Sequence, residues 1–353
     1  MAPTMSKYTP AYTLDEIAAV FDPVQPLLDC EIDSFYVERA NSPWREMKAL
    51  LHDSSQSRRP VRILLTGNTG SGKSTELNKL IREAGKQFRV VIVRMEHILP
   101  PLALHSEDLI VMAAVALTHI DRAGAPPRLL QEISQYMMGS IFERRINLLQ
   151  QSDSTERDHS YTVEFNAFYR KGPATHATTR EVNDRLSDLL SITNALIDKL
   201  ATPIKPLLLV FDDTDKVAFA DAVRIFFDHS AVLADIRVST IYTVPSGLWY
   251  SARMRMMGDI YAGSYRLSEI PLYTNMSMPD MAGRAALDSM IARRMSPELM
   301  TNDAREQIVE DSKGRVRHLI GLVHFAAVNA VGRKASRIEQ SDADRAASWL
   351  SEV

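Results

Sequence analysis

Within Gly67-Asn68-Thr69-Gly70-Ser71-Gly72-Lys73-Ser74-Thr75 stand the small residues, the cation and the hydroxyls that phosphate chemistry needs. Glycines let consecutive backbone N–H groups curl around a β-phosphate, a lysine at this spacing reaches the β- and γ-oxygens, and the next serine ligates Mg²⁺. The implied ligand is a nucleoside triphosphate. A second group is Asp212-Asp213-Thr214-Asp215-Lys216, after the apolar run Leu207 to Phe211. Asp212 reads as the carboxylate that holds Mg²⁺, and Asp213 as the one that orients or deprotonates the attacking water. The same pair also fits a solvated strand end, with Asp215 capping the next helix. Thr243, at the end of another apolar run, fits either a contact to the γ-phosphate or its water, or an ordinary strand terminus. Arg253, Arg255 and Arg266 follow. Each is either a solvated surface residue or an arginine finger acting on a neighbouring subunit, and Arg255 is our candidate for the finger.

Phosphate loops work only between a buried strand and a helix whose N-terminus faces the anion. Val61 to Leu65 supplies the strand, and Leu77, Leu80 and Ile81 recur at helical spacing after the loop. Further strands are expected at about 88–94, 206–211, 237–243 and 265–272. The second is apolar enough to be buried on both faces. Strands alternating with helices at this spacing predict an α/β parallel sheet, in which functional residues cluster beyond the C-terminal strand ends.

Before the core, residues 1–59 hold a helical pattern at 14–21, a break at Pro23 and Pro26, a helix at 44–52 and a polar linker from Ser54 to Pro60. Residues 97–205, between the second and third strands, exceed any single crossover. Helical patterns cover 107–120, 127–149 and 181–200, and Tyr161 to Phe165 reads as a short strand or hairpin. This insertion is either a surface loop or a partner-binding element. The core runs from 60 to 275. Helices at 279–294, 302–311, 315–331 and 341–350 then predict a small all-helical domain over 276–353.

The chain has 353 residues and a formal charge of −3, with basic and acidic residues interspersed, which argues against a strongly basic nucleic-acid surface, although a whole-chain count does not register a local patch. Nucleic acid remains an unsupported partner. One cysteine, Cys30, excludes an internal disulfide framework, and the nine histidines show no metal-ligand spacing. His318 and His324 read as ordinary helix residues. No segment has the length or apolarity of a signal peptide or membrane span, so a cytoplasmic location is expected.

Taken together, the loop, the Asp212-Asp213-x-Asp215 ending, the polar end of the fourth strand and Gly314-x-x-Arg317 in a helical domain resemble an AAA+ P-loop ATPase. The pattern is nearest the replication-initiator-like and STAND-like prokaryotic branch. The resemblance implies sheet order 5-1-4-3-2 with a helical lid. It makes Gly67 to Ser74 Walker A, Leu208 to Asp213 Walker B, Thr243 sensor 1 and Arg317 sensor 2. Phe35-Tyr36-Val37-x-Arg39 is similar to the segment that covers adenine, which adds Tyr36 and Val37 to the nucleotide contacts. ATP and Mg²⁺ are the expected ligands. The expected function is a hydrolysing switch that controls self-assembly or a partner carrying the effector activity. Alternatives are a non-catalytic, nucleotide-dependent scaffold of a bacterial defence or mobile-element complex, and a small-molecule kinase. No Asn-Lys-x-Asp or Thr-Lys-x-Asp follows the loop, which argues against GTP. Initiator-type relatives continue into a winged helix, whereas this sequence stops soon after its lid, so DNA binding is not an inherited expectation.

Overall fold

The structure is a computed structural model, described here over residues 9–95, 104–120, 140–144, 161–170, 179–202 and 204–352. Packing groups the chain into two units that cut across its linear order. One comprises 1–44, 68–79 and 267–353; the other comprises 45–67 and 80–266.

The second unit is built on a sheet of β1 (Arg62–Gly67), β2 (Arg89–Met95), β3 (Ser140–Arg144), β4 (Tyr161–Arg170), β5 (Leu207–Asp212), β6 (Ser239–Val244) and β7 (Gly263–Leu267). Their order is β3-β4-β2-β5-β6-β1-β7. The expected five-strand order is therefore present as β7-β1-β6-β5-β2. Every residue of β5 (Leu-Leu-Leu-Val-Phe-Asp) and β6 (Ser-Thr-Ile-Tyr-Thr-Val) is buried, as strands covered by helices on both faces must be. Register is parallel, with Leu65 opposite Thr243, Phe211 opposite Tyr242 and Arg94 opposite Asp212.

The insertion enlarges this sheet. β4 pairs parallel with β2, and β3 pairs antiparallel with β4. Residues 140–144 thus correct the helical reading of 127–149, the remainder of which lies outside the described residues. Local periodicity favoured helix, but a free sheet edge selects Ile141 and Phe142 for a strand, since pairing partners override weak β-propensity. Helix α5 (Ser106–Ile120) is buried almost throughout between Leu109 and Leu117, while α6 (Thr179–Leu200) is amphipathic.

Helices α1 (Leu14–Val20), α2 (Asp29–Phe35), α3 (Trp44–Ser57) and α4 (Lys73–Ala84) precede these. The stretch read as a linker from Ser54 is instead the last turn of α3 as far as Ser57. Ser54 is buried, its hydroxyl donating to the Arg59 carbonyl and facing Ser239 at 2.9 Å. Side-chain bonds of this kind let serines sit inside structure that composition alone marks as loop.

The first unit holds α7 (Met281–Ala292), α8 (Asn302–Asp311), α9 (Val316–Gly332) and α10 (Gln340–Glu352). Asp280 and Thr301 cap α7 and α8 by accepting from Gly283 and Ala304. Helix α1 belongs to the same core. Ile17 and Phe21 are buried with Leu287, Leu319 and Leu322, and the Ala11 backbone joins Arg294 and Ser296. His324 meets the Phe21 carbonyl at 2.9 Å, an ordinary helix contact.

Candidate nucleotide site

Strands β1, β5 and β6 run parallel, so Gly67, Asp212 and Val244 end at one edge of the sheet. The chain leaves that edge as the glycine loop and enters α4 at Lys73. Gly70 and Gly72 have φ of +80° and +96°, a region that L side chains rarely adopt. Ser71 is buried and its hydroxyl has no hydrogen-bond partner among the described residues. Lys73 is buried and its ammonium donates to the Asn68 carbonyl at 3.2 Å. Asn68 itself donates to Glu269 at 2.6 Å, and Thr75 accepts from the Leu27 N–H at 3.3 Å. Thr69 is exposed and Ser74 half-buried. Positive-φ glycines and an orphaned buried hydroxyl form a cradle that fits a phosphate.

The start of α9 lies against this loop. The Arg317 N–H donates to the Gly70 carbonyl at 3.1 Å, and a Cβ added at Gly70 would come 2.9 Å from Arg317 Cβ. Arg317 is exposed and has no ion-pair partner among the described residues. Gly314 sets the approach. Its φ is +73°, its carbonyl accepts from the Ile270 N–H at 2.9 Å, and a Cβ there would stand 1.9 Å from the Ile270 carbonyl oxygen. His318 is held below the usual imidazole range, first by burial and then by Arg315, Lys313 and Arg317.

Tyr36 and Val37 stand in the same unit. The Tyr36 hydroxyl donates to Glu76 at 3.0 Å, and burial followed by the Glu76 charge pushes its pKa far above the phenol range. Lys79 lies 5.7 Å from the centre of its ring. Val37 packs against the helical core. Glu76 also accepts from Ser42 and from Arg39, whose Nε lies 3.0 Å away. This buried cluster was not legible in the sequence, where Glu76 looks like an ordinary acid in the first turn of a helix.

The carboxylates belong to the other unit. Asp212 is buried, with its pKa pushed up to about 6 by desolvation first and the neighbouring Asp213 second, against the lowering effect of Arg94. Arg94 lies 3.5 Å from it. Asp213 takes a left-handed φ of 67°, donates its N–H to Asp212 Oδ1 at 2.9 Å, and pairs with Lys216 at 2.8 Å. Asp215 lies within the short turn 214–216. Thr243 is fully buried; its hydroxyl lies 3.3 Å from both the Phe211 carbonyl and the Thr214 hydroxyl, and its carbonyl accepts from Thr214. Of the three arginines, Arg253 pairs with Asp228 at 2.6 Å and Arg266 stacks on Tyr250 at 5.1 Å. Arg255 is exposed without an ion-pair partner among the described residues. Arg94 also escaped sequence reasoning, because only strand register reveals its place opposite Asp212, and Gly314, named in the sequence beside Arg317, shows its contact with Ile270 only in the structure. Ser74 in one unit and Asp212 in the other each carry a hard oxygen of the kind that Mg²⁺ takes. Among the described residues there is no group of three or more His, Cys, Asp or Glu side chains able to hold a metal alone.

Residues 43–231 match the model of a family described as AAA ATPase domain. No curated protein matches the sequence. Among solved structures, the chain is similar to Drosophila ORC bound to DNA at 9% identity and a TM-score of 0.51, covering 98% of this chain and 70% of that one. It also matches a point mutant of Thermotoga maritima RuvB at 14% identity and a TM-score of 0.45, covering 93% and 74%. The Thermotoga maritima RuvB Holliday junction branch migration motor matches at 15% identity and 0.42, covering 89% and 70%. At 9% identity, the likeness to Drosophila ORC speaks to the fold alone.

Proposed function

The chain belongs to the AAA ATPase family, matched over residues 43–231, and on that premise we propose that it binds and hydrolyses ATP as a switch controlling its own assembly or a partner. The observation that carries this reading is the loop itself: two left-handed glycines, a buried lysine and, on Gly70, the first turn of α9 with Arg317.

Each role follows from the chemistry of the side chain. The backbone of residues 67–75 and the Lys73 ammonium bind the phosphates. Tyr36 and Val37 flank the base. Ser74 and Asp212 would hold Mg²⁺, which supplies charge neutralisation on the phosphates. Asp213 orients the water and takes its proton, for which it must leave its pairing with Lys216. Arg317 reports the phosphate state to the helical domain, and Arg255 is a finger for a neighbouring copy. Thr243 holds the β5 and β6 ends in register beneath the acids. Hydrolysis of this kind is mostly positioning and electrostatics.

A second reading is favoured by one observation. Both acids are already engaged by cations, Asp212 by Arg94 and Asp213 by Lys216, as in a scaffold that binds nucleotide and turns over only when a partner rearranges it. Phosphate release by wild type, Lys73→Ala and Asp213→Asn separates the two. Hydrolysis predicts loss of binding or turnover in the first variant and trapped ATP in the second. Undiminished turnover in both variants would sink the assignment. Bound ATP without phosphate release in the wild type would favour the scaffold.

A further inference from the structure

Arg39 is not among the nucleotide contacts assigned above, yet its guanidinium is almost wholly buried, with 2% of the side chain exposed. Its three nitrogens meet three surroundings. Nε donates to Glu76. Nη2 stands 3.3 Å from where a Cβ on Gly72 would be, directly against the phosphate loop. Nη1 is buried with no hydrogen-bond partner among the described residues. Glu76 is already engaged, since Tyr36 and Ser42 donate to the same carboxylate. An arginine in a protein keeps its charge, and a buried N–H of a cation left unmatched is a costly arrangement. Here the unmatched group sits beside a loop whose geometry suits anions.

We propose that Arg39 is a phosphate ligand. On this reading, which rests on the nucleotide function above, Nη1 and Nη2 donate to non-bridging oxygens of a nucleotide's phosphates. Glu76, Tyr36 and Ser42 clamp the guanidinium through Nε so that its fork is held ready. A planar, pre-oriented fork suits phosphate oxygens better than a flexible ammonium does. It would also make the segment before the core a reader of phosphate charge as well as a cover for the base. Gly72 follows from the same geometry, because a side chain there would push against the fork.

The test measures what the phosphates contribute to binding. ADP and adenosine are titrated by calorimetry into the full chain, and the ratio of their affinities is compared among wild type, Glu76→Gln and the double variant R39M/E76Q. The double variant removes the buried pair together, so no carboxylate is stranded, and its folding is checked by thermal melting. If Arg39 is a phosphate ligand, R39M/E76Q shrinks the ratio by about 10- to 100-fold, the scale of charge-assisted hydrogen bonds. E76Q, which leaves the guanidinium in place, weakens both ligands by a common factor and keeps the ratio. A ratio unchanged in R39M/E76Q overturns the assignment and leaves the nucleotide reading intact. A wild type that binds neither ligand overturns that reading and this one with it.

Discussion

Gly314→Ala tests the contact that seats α9 on the phosphate loop. Alanine at a φ of +73° costs roughly 1–2 kcal/mol from backbone sterics alone. Its Cβ would lie 1.9 Å from the Ile270 oxygen, whereas carbon and oxygen rest about 3.3 Å apart even in close contact. The two backbones must separate by more than about 1 Å, which breaks the hydrogen bond from Ile270 to Gly314 and removes roughly another 0.5–1.5 kcal/mol. The sum is about 1.5–3.5 kcal/mol of unfolding free energy, read by urea denaturation followed by circular dichroism. The displacement also carries Arg317 off Gly70. Because misplacing a binding group by about 1 Å weakens its action steeply, ATP affinity should fall about tenfold or more. Gly332→Ala is the internal control: it ends the same helix with nothing within 4 Å of its added carbon. Stability within about 0.5 kcal/mol of wild type, together with unchanged ATP affinity, would refute the packing argument, since surface substitutions vary by that much.

Asp212 gives a pH signature. Its pKa of about 6 lies above the unfolded carboxylate value, so the folded state keeps the proton to higher pH. The stability this provides is complete below about pH 4 and lost as pH rises through about 6. Urea midpoints of the wild type should decline over that window, and Asp212→Asn should flatten the decline; an unaltered slope would refute the burial argument. Among the arginines, Arg255→Ala should cut turnover on the order of 10³-fold at concentrations where copies associate, while Arg253→Ala, which breaks an exposed pair with Asp228, should change turnover little. Phosphate-release assays decide this, and full turnover by Arg255→Ala removes the finger proposal.

Much of the frame could be read before any coordinates. Leu208 to Phe211 and Ile63 to Leu65 are apolar throughout, so central strands announce themselves, and the glycine spacing marks the loop between strand and helix. Legibility failed where partners decide conformation. Ile141 and Phe142 join β3 because β4 offers a free edge, and Ser54 sits in the last turn of α3, where Arg59 and Ser239 satisfy its hydroxyl. The candidate site divides the same way. Lys73, Asp212 and Arg317 carry their spacing in the chain, whereas Arg39 with Glu76 and Arg94 with Asp212 are pairs made by tertiary structure. Gly314 is legible as a glycine but not as a contact.

The burial of Phe21 among the C-terminal helices bears on when the protein becomes competent. Residues 1–44, the loop segment 68–79 and residues 267–353 form one packed unit, so its earliest-made helix must wait for its latest. During synthesis the sheet unit can close first, while α1 and the loop segment remain without their partners until residues 267–353 have been made. Contacts of such sequence separation are slow to form and leave apolar faces open meanwhile. Ile17 and Phe21 are then the exposed residues a chaperone would meet. The same logic governs fragments: a piece cut to the family-matched span, 43–231, keeps the phosphate loop in sequence but lacks the helices that pack around it.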